Sequence, residues 1–210
     1  LLETKAKTMI RKLLSTLLIG LISASSFAQD SDPLQKFNQF LAKNLKYSSE
    51  LRSEKIQGPV TLLLSIDPQG ELDKTPLLLG GSEELAQEVF QTLAFLKGKE
   101  SKALFPDETF GKEHLLSVEF KMVENQNTGF YIPERYDTES KILEKLNAQI
   151  QENPYFANSY KKRAEYYEST GQNLLAELDR EKAELLEERE LSQIMVVGYS
   201  SIHKKSLISD

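Results

Sequence analysis

The stretch Gly58-Pro59-Val60-Thr61-Leu62-Leu63-Leu64-Ser65-Ile66-Asp67-Pro68-Gln69-Gly70 decides the fold class. Val60, Leu62, Leu64 and Ile66 alternate with Thr61, Leu63, Ser65 and Asp67, the period of a strand with one face buried. Asp67 to Gly70 is turn chemistry: proline fixes one backbone angle and glycine is free to turn left-handed. A second strand follows from about Glu71 to Leu79, and its Pro76 lacks a ladder donor, so that strand has a free or irregular side. Working outward, Ser82 caps a helix whose apolar face is Leu85, Ala86, Val89, Phe90 and Leu93, ended at Gly98. Residues 99–113 read as polar and irregular. A third strand runs from His114 to Met122 with Leu116, Val118, Phe120 and Met122 on one side. Upstream, Asp32-Pro33 starts a first helix carrying Leu34, Phe37, Leu41 and Leu45. The order helix, hairpin, helix, strand predicts an α+β fold: a small antiparallel sheet with helices, exposing at least one edge.

The chain has 210 residues, 26 basic and 32 acidic, with 40% hydrophobic composition. That is enough to bury a core. It has no cysteine, which excludes disulfides, thiolate metal sites and cysteine nucleophiles. The two histidines, His114 and His203, stand far apart in the sequence, and His203 sits among lysines as a surface residue. No Gly-x-Ser-x-Gly, His-Glu-x-x-His or phosphate loop occurs. The expectation is therefore a non-enzymatic chain with no catalytic residues, metal or cofactor, and with no small-molecule substrate. From Met9, a basic start is followed by an apolar run to about Ile22 and by Ser26-Phe27-Ala28, the pattern of a secretory signal peptide cleaved after Ala28. The eight residues before Met9 read as upstream read-through. Loss of residues 1–28 removes Glu3, Lys5, Lys7, Arg11 and Lys12, so 26 basic and 32 acidic residues become 22 and 31. A charge of −9 argues against a nucleic-acid partner.

Lys46-Tyr47, Glu50-Leu51-Arg52, Lys55 to Val60, Leu64 to Asp67 and Gly70-Glu71-Leu72 resemble the opening of the TonB C-terminal domain, in the form carried by Bacteroidetes-type sequences. Gly80-Gly81, the acidic helix start and Val118-Glu119-Phe120 continue the resemblance, which covers about residues 35–123. The chain departs from the family at Ser48, where proline is usual, and in having no tryptophan and no proline-rich spacer. The resemblance implies a periplasmic domain that takes the TonB box of an outer-membrane receptor as an added strand. The implied partner-binding edge is the third strand: His114, Leu115, Leu116, Ser117, Val118, Glu119, Phe120, Lys121 and Met122.

Ile142, Leu143, Leu146 and Ile150 mark a further helix ended by Asn153-Pro154. Ala157, Tyr160, Arg163-Ala164, Tyr167, Gly171, Ala176, Arg180 and Ala183 then resemble a single tetratricopeptide repeat. The same spacing also fits a plain helical hairpin crossing on small residues. One repeat is too few for a free-standing array, so the pair is expected to lean on the preceding domain or on another chain. The last segment, Ile194 to Ser206 with Met195, Val196, Val197, Gly198 and Tyr199 at its start and Lys204-Lys205 near its end, resembles sequence ahead of the plug in starch-utilisation receptors, and also fits an ordinary edge strand. It is expected to pair with the strand His114 to Met122, in its own chain or a neighbour's.

The expected organisation is residues 1–28 as upstream residues and signal, 33–124 as the TonB C-terminal-like domain, 139–190 as tetratricopeptide-like helices and 191–210 as tail. The expected function is periplasmic capture of an extended peptide by strand addition, the peptide coming from a TonB-dependent receptor. The alternative is an energy transducer that keeps residues 9–28 as a membrane anchor.

Overall fold

A computed structural model of the chain describes residues 32–72, 75–96, 101–123 and 139–199. The signal-peptide reading and the tail beyond Tyr199, including His203 and Lys204-Lys205, lie outside the described residues. Helix α1 (Pro33–Asn44) starts where the Asp32 carboxylate accepts from the Leu34 amide at 3.3 Å, and it buries Phe37 and Leu41. The Ser48 hydroxyl accepts from the Leu51 amide at 3.4 Å and starts α2 (Ser49–Ser53), which is too short to show a period in sequence.

Strand β1 (Gly58–Ile66) ends at the expected turn. There the Gly70 amide donates to the Asp67 carbonyl at 3.0 Å, and the Asp67 carboxylate accepts from Gln69 and Glu71, both at 2.8 Å. The return strand is shorter than Glu71 to Leu79. Beyond an isolated bridge between Ile66 and Leu72, β2 spans only Leu77–Gly80, directly after Pro76, which has no N–H to offer a ladder.

Helix α3 (Glu83–Leu93) is capped by Ser82, whose hydroxyl accepts from the Leu85 amide at 3.2 Å; Gly98, expected to end it, lies outside the described residues. The segment read as polar and irregular holds two 3₁₀ turns, Lys102–Leu104 and Asp107–Thr109. Between them Phe105 is fully buried, its ring 5.1 Å from Phe37, so this connection also supplies core. After β3 (Lys112–Val123) come α4 (Glu139–Glu152), α5 (Ala157–Ser169), α6 (Asn173–Glu187) and β4 (Glu190–Tyr199).

The sheet order is β2-β1-β3-β4. β1 pairs antiparallel with both neighbours, and β3 pairs parallel with β4, so the sheet is mixed rather than purely antiparallel. The cause lies in the connection: a crossover through three helices returns the chain to the same end of the sheet. One face carries Val60, Leu62, Leu64, Leu116, Val118 and Phe120 into a core shared with α1 and α3. On the other face Leu115 is buried among Ala157, Tyr160, Ala183 and Leu186.

The α5–α6 hairpin thus leans on the sheet, with Ala164, Ala176 and Ala183 buried. Arg163 ties the three C-terminal helices together. Two of its nitrogens donate to Asp179 at 2.7 Å each and a third to Asn147 Oδ1 at 2.8 Å, while the guanidinium lies 5.8 and 5.7 Å from the Tyr160 and Tyr167 rings. A bidentate pair with one partner almost wholly buried fixes the crossing more firmly than surface pairs such as Lys161–Glu187.

Candidate functional site

The residues expected to capture a partner all lie in β3. Leu116, Val118 and Phe120 are buried in the main core, Leu115 on the opposite face, and Ser117 against Thr61. Glu119 faces Lys162 at 3.7 Å and Lys121 is exposed. His114 lies with Nε2 3.2 Å from the Thr109 carbonyl, and the Met122 amide donates to Gln57 Oε1 at 3.0 Å. Among the described residues no group of three or more His, Cys, Asp or Glu is placed to hold a metal ion.

One edge of β3 is taken by β1 along Gly58–Ile66. The other is taken by β4: Glu119 is opposite Met195, Phe120 opposite Val196, Lys121 opposite Val197, Met122 opposite Gly198 and Val123 opposite Tyr199. The pairing expected of the tail is therefore present within the chain, and it is parallel. It also begins earlier. α6 ends at Glu187 rather than about residue 190, and β4 starts at Glu190, opposite Leu115. An extra residue, Leu191, bulges into the core before Ser192 resumes the register opposite Leu116.

β4 is held by more than its ladder. Leu191 is buried, the Ser192 hydroxyl donates to Asn38 of α1, and Ile194 and Val196 pack against the core. At the far end Arg52 Nη1 donates to the Tyr199 carbonyl at 3.2 Å. Gly198 lies so close to α2 and the residues before it that an added Cβ would stand 2.6 Å from the Tyr47 ring and 2.7 Å from Arg52 Cδ. The Tyr47 ring has little room to yield, because its hydroxyl donates to the Ile56 carbonyl at 2.6 Å and its edge meets Phe120 at 5.3 Å. Burial pushes the Glu190 carboxyl at the start of β4 above its ordinary range. Glu187 pushes it the same way, and its hydrogen bond to Ser117 and the charge of Lys161 oppose them.

The other edge strand is secured differently. Asn153, fully buried, donates from Nδ2 to the Pro59 carbonyl at 3.1 Å and to Thr61 Oγ1 at 3.0 Å, while Oδ1 accepts from the Tyr155 amide at 3.2 Å. The Gly81 amide donates to the Glu152 carbonyl at 3.1 Å, and a Cβ at Gly80 would stand 2.5 Å from Asn153 Oδ1. In sequence Asn153-Pro154 reads only as a helix end. Its second role, seating α4 on β1 and β2, has no periodic signal.

No family model matches the chain, and no curated protein does. Among solved structures it is similar to the solution structure of the Helicobacter pylori TonB C-terminal domain, residues 194–285, at 14% identity and a TM-score of 0.33. That match covers 43% of this chain and 94% of the other.

Proposed function

We propose that the chain is an exported, non-enzymatic protein-interaction module of TonB C-terminal type, which takes an extended peptide by strand addition at β3. The observation that carries this reading is β4 itself: a ten-residue segment lies along β3 from Leu115 to Val123 as an added strand. Main-chain hydrogen bonds supply most of the affinity in such a site, and alternate side chains supply choice. The segment in place resembles receptor sequence, so the partner is a receptor TonB-box peptide that competes with β4. No cofactor enters. The α5–α6 pair serves as a tetratricopeptide-like buttress behind the sheet.

Because β4 follows α6 after only two residues, it re-pairs at high effective concentration, and a free peptide binds in proportion to the fraction of chains whose edge is open. Titration of a TonB-box peptide against the unmodified chain and Val197→Pro tests this. Proline removes a backbone donor and resists the ladder, so the variant is expected to bind more tightly. Equal affinity, or binding to neither, contradicts the reading.

A further inference from the structure

β4 meets the rest of the domain through alternate residues. Ser192 donates to Asn38 of α1, Ile194 and Val196 pack against the core, and Gly198, the last of this inner series, is buried. Gln193, Met195, Val197 and Tyr199 are exposed, so the domain reads the strand through its inner series. At Gly198 that series meets a wall. A Cβ there would stand 2.6 and 2.8 Å from Cδ1 and Cε1 of Tyr47 and 2.7 Å from Arg52 Cδ, well inside van der Waals contact. Neither wall is loose. The Tyr47 hydroxyl is tied to the Ile56 carbonyl and its ring edge to Phe120. Arg52 Nε donates to the Ser48 carbonyl at 3.3 Å, and Nη1 to the Tyr199 carbonyl at 3.2 Å. The same two side chains thus exclude a Cβ at one residue and hold the backbone of the next.

We propose that Tyr47 and Arg52 are specificity-determining residues that form a glycine-selecting notch: a strand seated on β3 must carry glycine opposite Met122, and Arg52 takes the carbonyl of the residue that follows. The partner this admits is an extended peptide with apolar residues two and four positions before a glycine, matching Val196 and Ile194 before Gly198, and with its intervening positions unconstrained. The notch also sets register. A main-chain ladder tolerates a slip of two residues, because such a slip keeps each side chain on its own face. Here a slip of two that brings Val196 opposite Met122 drives a branched side chain into Tyr47, so that register is refused. A slip of one brings Val197 there and turns the inner series outward. The partner half of this inference rests on the strand-addition reading. The notch itself acts on β4 within the chain and does not.

The test has two arms, both on the chain from Gln29 to Asp210, which keeps whole the compact unit that starts at Asp32. In the first, hydrogen exchange is compared in wild type, Gly198→Ala and Gly198→Val. Exchange at residues 121–123 and 195–199 is expected to quicken about tenfold in Gly198→Ala and further in Gly198→Val. The effect of Gly198→Ala is expected to shrink when it is combined with Tyr47→Val or with Arg52→Ala, each of which clears space for the new Cβ. Should Tyr47→Val fail to fold, Arg52→Ala, at a half-buried position, supplies the comparison. In the second arm a peptide of residues 190–199 is titrated against the Val197→Pro chain, beside the same peptide carrying Gly198→Ala or Gly198→Val. The glycine peptide is expected to bind, the alanine form about tenfold more weakly and the valine form more weakly still. Three results overturn the proposal: unchanged exchange in Gly198→Val, equal affinity of the three peptides, or a Gly198→Ala effect that neither second substitution reduces. If no peptide binds, the strand-addition reading falls, and the exchange arm alone decides whether the notch exists.

Discussion

At one rim of the sheet β2 spans four residues, starts directly after Pro76 and ends where the Gly81 amide is taken by the Glu152 carbonyl. At the other rim β4 spans ten residues, nine of them uncharged, and is held by the β3 ladder, by Asn38 of α1 and by Arg52. The first rim is tied to α4 through the Gly81 amide and lies against the buried Asn153; the second is a strand that occupies the edge of β3. The contrast teaches where exchange is cheap. Freeing β2 means breaking the Gly81–Glu152 tie and moving Gly80 off the buried Asn153, whereas freeing the far half of β4 means mainly trading one ladder for another.

The largest effect is expected in the strands beneath both rims. Phe120→Ala should cost about 3 to 5 kcal/mol and Leu64→Ala about 2 to 5 kcal/mol in denaturant melts, since both side chains are fully buried. Leu63, half-buried toward the helical hairpin, should cost less than Leu64. Equal losses at Leu63 and Leu64 would remove the distinction between the two faces. Next comes the β2 rim. Asn153→Ala removes the donor to the buried Thr61 hydroxyl and to the Pro59 carbonyl and should cost about 2 to 3 kcal/mol, with hydrogen exchange rising at β1 and β2.

A smaller loss, about 1 to 3 kcal/mol, is expected at the β4 rim from Gly198→Ala, whose Cβ presses on Tyr47. Exchange should rise first at residues 121–123, while β2 stays protected. The smallest effect concerns Glu190. Its folded-state pKa is raised, so the native state favours the protonated carboxyl. Its contribution to stability is then fully present below the unfolded value of about 4.3 and is lost as pH rises through the folded value. Glu190→Gln should therefore be slightly more stable than wild type at pH 7 and no more stable at pH 3, as pH-dependent melts would report.

The strands with a strict period were legible from residues alone: Val60 to Ile66 and Leu116 to Met122 occupy the faces that their alternation assigns. Legibility failed where a tertiary contact overrides a local signal. Phe105 stands in a polar stretch, and only the presence of Phe37 makes it core. α2 has too few residues for a period. β2 starts only at Leu77, directly after Pro76, and β4 begins at Glu190, inside what reads as a charged helix end. Arg163 and Asp179 look like two charges among many until the helices bring them to 2.7 Å. For the candidate site, the expected pairing of the tail with β3 came from a family resemblance and from an uncharged β-prone run. The parallel direction is set by the three-helix crossover, which no local motif encodes.

The central claim, that β3 is a strand-acceptor edge held by β4, is tested most directly by amide hydrogen exchange across Leu115–Val123 and Leu191–Tyr199, with and without a saturating TonB-box peptide. Protection along β3 is expected to persist while protection along β4 falls, because one strand has replaced another. Protection of β4 that stays unchanged or increases while the peptide is bound would contradict it.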